Sequence, residues 1–143
     1  MYDRVLVPTD GSDGTEAVLE HATAIAEPHD AAITALYVVD ARMIRSATDT
    51  DPDDVREELE SAGTDALERA RSVVEASGVT ADTILREGTP VREILTASEE
   101  IDADLVVMGS HGKTPREKVQ GLGSVSEGVV TNADRPVLVV RLP

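Results

Sequence analysis

"ADLVVMGSHGKTPREKVQGLGSVSEGVVTNADRPVLVV", residues 103–140, holds a whole folding unit in one stretch. Leu105 to Met108 make a continuous apolar run of strand length, which suits a strand covered on both faces. Gly109, Gly112, Gly121 and Gly123 then punctuate a polar segment. "SVSEGVVTNAD" reads as a short helix opening at Gly123-Ser124, and "RPVLVVRL" as a last strand. Strand, glycine-rich loop, helix and strand form a crossover between parallel strands.

The same alternation runs back to the first residue. "RVLVPTD" (4–10) is a β-rich run stopped by Pro8. Asp13 with Glu16 resembles a capping box, and Val18, Leu19, Ala22, Ile25 and Ala26 repeat at helical spacing. "AITALYVVD" (32–40) is a second buried strand. Pro52 suits a helix start with acidic residues in its first turn; Val55, Leu59, Ala62, Ala66, Ala70, Val73 and Val74 form its apolar stripe, ended by Gly78. "TADTILREG" is a less apolar third strand, nearer an edge, and Thr89-Pro90 opens a helix carrying Val91, Ile94, Leu95 and Ala97. The predicted architecture is α/β: one domain over residues 1–143, with an open five-stranded parallel sheet and helices on both faces.

Composition narrows the function. Of 143 residues 41% are hydrophobic, almost all aliphatic, with Tyr2 and Tyr37 as the aromatic residues. The net charge of −15 repels nucleic acid and anionic membranes, so neither is an expected partner. Lysine is scarce, confined to Lys113 and Lys118. High acidity with few lysines suggests a halophilic protein whose self-repulsion is screened by concentrated salt; an ordinary acidic cytosolic protein is the alternative. There is no cysteine for a disulfide, thiol catalysis or a zinc site. "MYDRVLVPTD" enters a strand at once, without a basic leader, and no apolar run reaches membrane-spanning length; a cytoplasmic location is expected.

Two phosphate fingerprints fail. A P-loop ending at Gly112-Lys113-Thr114 needs glycine where Val107 stands. A dinucleotide pattern starting at Gly121 and Gly123 meets Ser126 in place of its third glycine. What remains is Gly109 at a strand end, Gly112 after two intervening residues, and Gly123-Ser124 at a helix start, where free N–H groups and a hydroxyl suit an anion. Lys113, Arg116 and Lys118 make the intervening loop locally cationic; turn-making glycines and a capping Ser124 would account for the same residues. Asp10, at the end of the first strand, would face Gly109 if strands one and four are neighbours where strand order reverses.

With "VPTDGS", "YVVD", "VVMGSHG", "GS" and "PVLVV" in this order, the chain resembles the universal stress protein family over essentially its whole length. The resemblance implies a Rossmann-like, adenine nucleotide alpha hydrolase-like fold and ATP binding, with Mg²⁺ on the phosphates. Pro8, Thr9 and Asp10 would line the adenosine pocket, and Val38 would contact the base. Met108, Gly109, Gly112, Gly123, Ser124 and Val125 would hold ribose and phosphates. The family's ATP-binding members share Gly-x2-Gly-x9-Gly-(Ser/Thr), whereas here ten residues separate Gly112 from Gly123 and Pro115 stands where the family often has glycine. A homodimer through the C-terminal strand is also implied.

Other constellations carry less. Asp49, Asp51, Asp53 and Glu60 match calcium-loop positions, but Asp54 replaces the required glycine, so an acidic helix start is the reading. His21, His29 and His111 lack metal-ligand spacing, and no nucleophile–base–acid set is assembled, so no catalytic or metal-binding residue is assigned. The expected function is a stress-response regulatory module. The alternatives are a dimeric member that binds no nucleotide and a slow ATPase or phosphoryl-transfer enzyme.

Overall fold

Val5, Leu6 and Val7 are wholly inaccessible to solvent, so the first strand must run through the middle of the molecule. The computed structural model describes residues 1–110 and 123–142. Its strands are β1 (Arg4–Pro8), β2 (Ala32–Asp40), β3 (Ala81–Gly88), β4 (Leu105–Ser110) and β5 (Val137–Arg141). Its helices are α1 (Thr15–His29), α2 (Ala41–Arg45), α3 (Pro52–Ala76), α4 (Pro90–Glu100) and α5 (Ser124–Asn132). The strands are parallel in the order β3-β2-β1-β4-β5, with Val5 beside both Ile33 and Leu105. Strand order therefore reverses between β1 and β4, as the expected architecture requires. The weakly apolar β3 lies at an edge.

The two-residue period of each strand sorts the core into layers. Val5, Val7, Ile33, Ala35, Leu105 and Val107 meet Val18, Leu19 and Ala22 of α1 and Leu67, Ala70 and Val74 of α3. Leu6, Leu36, Val106 and Met108 point the other way, to Ile94 and Ala97 of α4 and Val129 of α5. Fully burying one such side chain contributes about 1.5–3 kcal/mol. Leu6→Ala, at the centre of the second layer, would cost about 2–5 kcal/mol with its cavity.

Local detail departs from expectation in three places. On α3 the inward stripe runs through Gly63 and Leu67, while Ala62 is exposed. A Cβ on Gly63 would lie 2.5 Å from Tyr37 Cδ1, so the missing side chain lets α3 settle on that ring. At α1 the capping box is not formed. The helix starts at Thr15 with Gly14 at the N-cap and no side-chain cap, because Asp10 and Thr9 organise the preceding turn instead. Finally, α2 was not expected. Asp40, the last residue of β2, accepts from the Arg42 N–H at 2.9 Å and so turns a strand end into a helix start. Asp51 does the same for α3, accepting from Asp53 N–H, which matches the acidic-helix reading of that segment.

The amino ends of the strands are tied by polar staples. Asp104 Oδ2 accepts from the N–H groups of Asp3 (2.7 Å) and Arg4 (3.0 Å). Arg4 donates to the Ile101 carbonyl, and Arg135 donates to those of Ser98 (2.7 Å) and Ala103 (2.9 Å).

Candidate functional site

β1 leaves the sheet at Pro8, but β2 continues through Tyr37, Val38, Val39 and Asp40, paired on that stretch with β3. The last link from β1 is Thr9 N–H to the Leu36 carbonyl, at 2.8 Å. Backbone groups of a strand alternate sides, so two residues later Val38 turns its N–H and C=O toward the space β1 has vacated. On the far side of that space β4 ends at Ser110. A cavity of about 430 Å³ fills the gap, within the range of small-molecule sites.

The expected residues meet there. Pro8, Thr9 and Asp10 line the cavity from β1, Val38 from β2, and Met108 and Gly109 from β4. Gly123, Ser124 and Val125 line it from the start of α5. Gly112, His111, Gly121 and the cations Lys113, Arg116 and Lys118 lie outside the described residues.

Side chains build the turn after β1. The Thr9 and Thr15 hydroxyls lie 2.9 Å apart, and Thr9 Oγ1 accepts from Gly11 N–H. Gly11 has φ +78°, which only glycine adopts without strain. Asp10 Oδ1 accepts from Ser12 N–H at 2.9 Å, holding the carboxylate at the crevice. Tyr37 joins it there: burial first, and then the negative charge of Asp10, raise its phenol above the ordinary value. It remains a hydrogen-bond donor. At the rim the Arg42 guanidinium grips Asp40 at 2.8 Å. That hydrogen bond, ahead of opposing burial, lowers the Asp40 carboxyl below its usual range. Arg42 is the one cationic lining side chain among the described residues, and its charge is matched by Asp40.

A buried hydroxyl pair positions α5. Ser110 and Ser126 are only 4% and 2% exposed, and their Oγ atoms are 3.0 Å apart. Ser110 Oγ accepts from Gly123 N–H at 2.8 Å, and Ser126 Oγ donates to the Gly123 carbonyl at 3.1 Å. The first intrahelical bond of α5 is Glu127 N–H to Gly123 C=O. The amides of Ser124, Val125 and Ser126 therefore precede any intrahelical acceptor, and their dipoles favour an anion.

Sequence reasoning missed Ser110, Ser126, Tyr37, Thr15 and Arg42 as lining residues. The only signal for the serine pair was a hydroxyl at each end of the glycine-rich segment, one of them where the dinucleotide pattern wants glycine. Gly109, which lines the crevice as expected of a strand-end glycine, also has a packing reason. A Cβ there would lie 2.7 Å from Leu142 Cδ1 and 2.9 Å from Val18 Cγ2, so this glycine makes room for packing beneath the crevice. Among the described residues no group of three or more His, Asp or Glu gathers as a metal site, and no helix is long and apolar enough to cross a membrane.

Comparison with known proteins agrees with this fold. A universal stress protein of Methanocaldococcus jannaschii, MJ0531, is 40% identical over 144 residues, spanning all of this chain and 84% of that protein. The solved structure of MJ0577, a second universal stress protein of that organism, superposes with a TM-score of 0.86 at 32% identity. It covers 100% of this chain and 98% of the other. A universal stress protein crystallised with cAMP matches with a TM-score of 0.74 at 25% identity, over 99% of this chain and 98% of its own. The universal stress protein family profile matches residues 1–141. With the profile matching residues 1–141 and relatives similar over the whole length, the chain belongs to the universal stress protein family.

Proposed function

We propose that this chain, as a single domain over residues 1–143, binds ATP in the β1/β4 crevice and serves as a stress-response regulatory module, with hydrolysis at most slow. The observation that carries the reading is the meeting, in one cavity, of an open backbone edge and an uncapped helix start. Val38 offers a donor and an acceptor side by side, which match N1 and the N6 amino group of adenine. At the other end, the α5 amides and the Ser124 hydroxyl suit phosphate. Asp10 and Tyr37 also line the cavity, and could give a ribose hydroxyl an acceptor and a donor. The cAMP complex of a relative supports an adenine nucleotide in such a crevice. Mg²⁺ would be carried on the phosphate oxygens, next to the Ser124 hydroxyl.

Isothermal titration of ATP, ADP and adenosine in molar KCl tests this. Saturable binding with ATP tighter than adenosine is the expected result. Absence of binding by ATP and ADP at millimolar concentration would overturn it in favour of the nucleotide-free member. Released phosphate, followed over hours with Mg²⁺ present, separates a binding module from an ATPase.

The same reading includes assembly and setting. β5 is a sheet edge whose Val137, Leu138, Val139 and Val140 are only half-buried, and an unpaired apolar edge invites a second copy. A two-fold homodimer through β5 would cover it; sedimentation as a monomer at high micromolar concentration would exclude that. The net charge of −15 suits a salty cytoplasm. Melting temperature should rise steeply from dilute buffer to molar KCl, where the Debye length is about 3 Å. A flat profile removes the halophilic reading alone.

A further inference from the structure

Leu142, one residue past β5, continues the pairing with β4 by donating its N–H to the Ser110 carbonyl at 2.9 Å. Its side chain then enters a slot made by two glycines. A Cβ on Gly14 would lie 2.5 Å from Leu142 Cδ1, and a Cβ on Gly109 would lie 2.7 Å from the same atom. Leu142 packs on the α1/α3 layer of the core and at the same time lines the crevice. Gly14 is the N-cap of α1, which like α5 starts without a side-chain cap. The first turn of α1 also borders the crevice, through Thr15. The starts of α1 and α5 are thus among the helix amino termini that approach the cavity, and an apolar side chain stands against that of α1.

We propose that Leu142 is a positioning residue for the phosphate end of the site: seated between Gly14 and Gly109, it covers the start of α1 and leaves the start of α5 to receive the phosphates. The inference rests on the nucleotide reading above and adds a determinant of phosphate registration to it. An apolar wall offers an anion nothing, so phosphates confined by it turn toward the amides of Ser124, Val125 and Ser126. The base end, at Val38, lies on β2 and is untouched by this contact. Leu142 should therefore matter for ATP and not for adenosine.

The test compares three single variants by titration with ATP and with adenosine, and by thermal unfolding. Leu142→Ala removes the wall. Gly14→Ala keeps leucine but places a methyl where its tip now sits, so it should displace Leu142 and reproduce the effect. Val140→Ala, two residues back on the same core layer and outside the crevice, is the packing control. In the first two variants ATP affinity should fall by about two- to thirtyfold while adenosine affinity stays constant. The Leu142→Ala/Gly14→Ala double variant should be no worse than Leu142→Ala alone, since both act through one side chain. Val140→Ala should lower the melting temperature with both affinities intact. Equal loss of ATP and adenosine in Leu142→Ala would reduce the residue to core packing and overturn the proposal. So would unchanged ATP affinity, or additive effects in the double variant. If the unaltered protein binds ATP and these contrasts fail, only the role of Leu142 falls; if it binds no nucleotide, the functional reading falls with it.

Discussion

At the amino ends of the strands, Arg135 and Arg4 reach across to helix-end carbonyls and Asp104 takes two backbone amides. At the carboxyl ends the chain presents paired hydroxyls, glycines, the Asp10 carboxylate, the Asp40–Arg42 ion pair and, at α1, α4 and α5, helix starts without side-chain caps. One end of the sheet answers its exposed polar groups with fixed charges. The other also has an ion pair at its rim, but it sets the first amides of α5, which have no intrahelical acceptor, beside a cavity. Both ends belong to one sheet and share one core, so the contrast lies in the few residues that follow each strand. A polar group closed by a protein partner adds stability, whereas a group left for a ligand can add affinity only when the ligand arrives.

The largest effect should come from unpicking the closed end. Arg135→Ala leaves the Ser98 and Ala103 carbonyls without their charged donor, on a side chain only 14% exposed. Urea denaturation should show a loss of about 3 kcal/mol, with ATP affinity, measured on folded protein, unchanged. A fall in affinity would mean that the two ends are not independent.

Next comes the open end. Asp10→Ala should weaken ATP by about ten- to a hundredfold, the value of a hydrogen bond to a charged group. Asp10→Asn sharpens the comparison, because its amide oxygen can still accept from Ser12 N–H while the charge is gone. If Asn restores full affinity, the carboxylate serves the turn and not the ligand. Ser124→Ala should weaken ATP more than adenosine in the same titrations.

Ser110→Ala joins the two kinds of effect. It strips the acceptor from Gly123 N–H and the partner from Ser126, for a stability loss of about 1–2 kcal/mol. It should also loosen the start of α5, so the ratio of ATP to adenosine affinity falls with it. Thermal unfolding and titration on one preparation check both.

The smallest effect concerns acid. Hydrogen bonds from the N–H groups of Arg4 and Asp3 hold the Asp104 carboxyl below its ordinary range, and the Arg42 guanidinium does so for Asp40. The unfolded chain takes up these protons first as pH falls. The stabilisation is thus complete above the ordinary aspartate range and is lost as pH drops through the depressed folded-state values. Asp104→Asn should flatten the acid limb of melting temperature against pH, by less than about 1 kcal/mol because the group is solvated. An unchanged limb would show that the amino-end staple carries no pH dependence.

The sheet and its switch point could be read from residue patterns because burial on both faces demands runs such as Leu105 to Met108, and glycine and proline mark their ends. The crevice followed from topology, since Asp10 and Gly109 end neighbouring strands. Contacts between side chains distant in sequence could not be read. Ser110 and Ser126 are ordinary small polar residues until the fold brings them together. Leu142 looks like one more apolar residue of a last strand until Gly14 and Gly109 leave it a slot. α2 escaped because five residues cannot display a helical period, and its start depends on one carboxylate at a strand end. Ala62 and Gly63 were exchanged for a related reason: side-chain hydrophobicity favours alanine, but the packing over Tyr37 rewards having no side chain at all.

The Gly123 N–H to Ser110 Oγ bond has a bearing on chain entropy as well. It joins the two residues that flank positions 111–122, so that segment begins and ends at fixed points. The entropy of closing a chain segment grows only as the logarithm of its length, about 0.6 kcal/mol per doubling. Lengthening a segment of this size by one residue therefore costs less than about 0.1 kcal/mol. The additional residue between Gly112 and Gly123 is almost free in these terms, and the hydroxyl pair helps to fix where α5 begins. By the same arithmetic, insertions between those anchors should leave the helix start where it is, at little cost in stability.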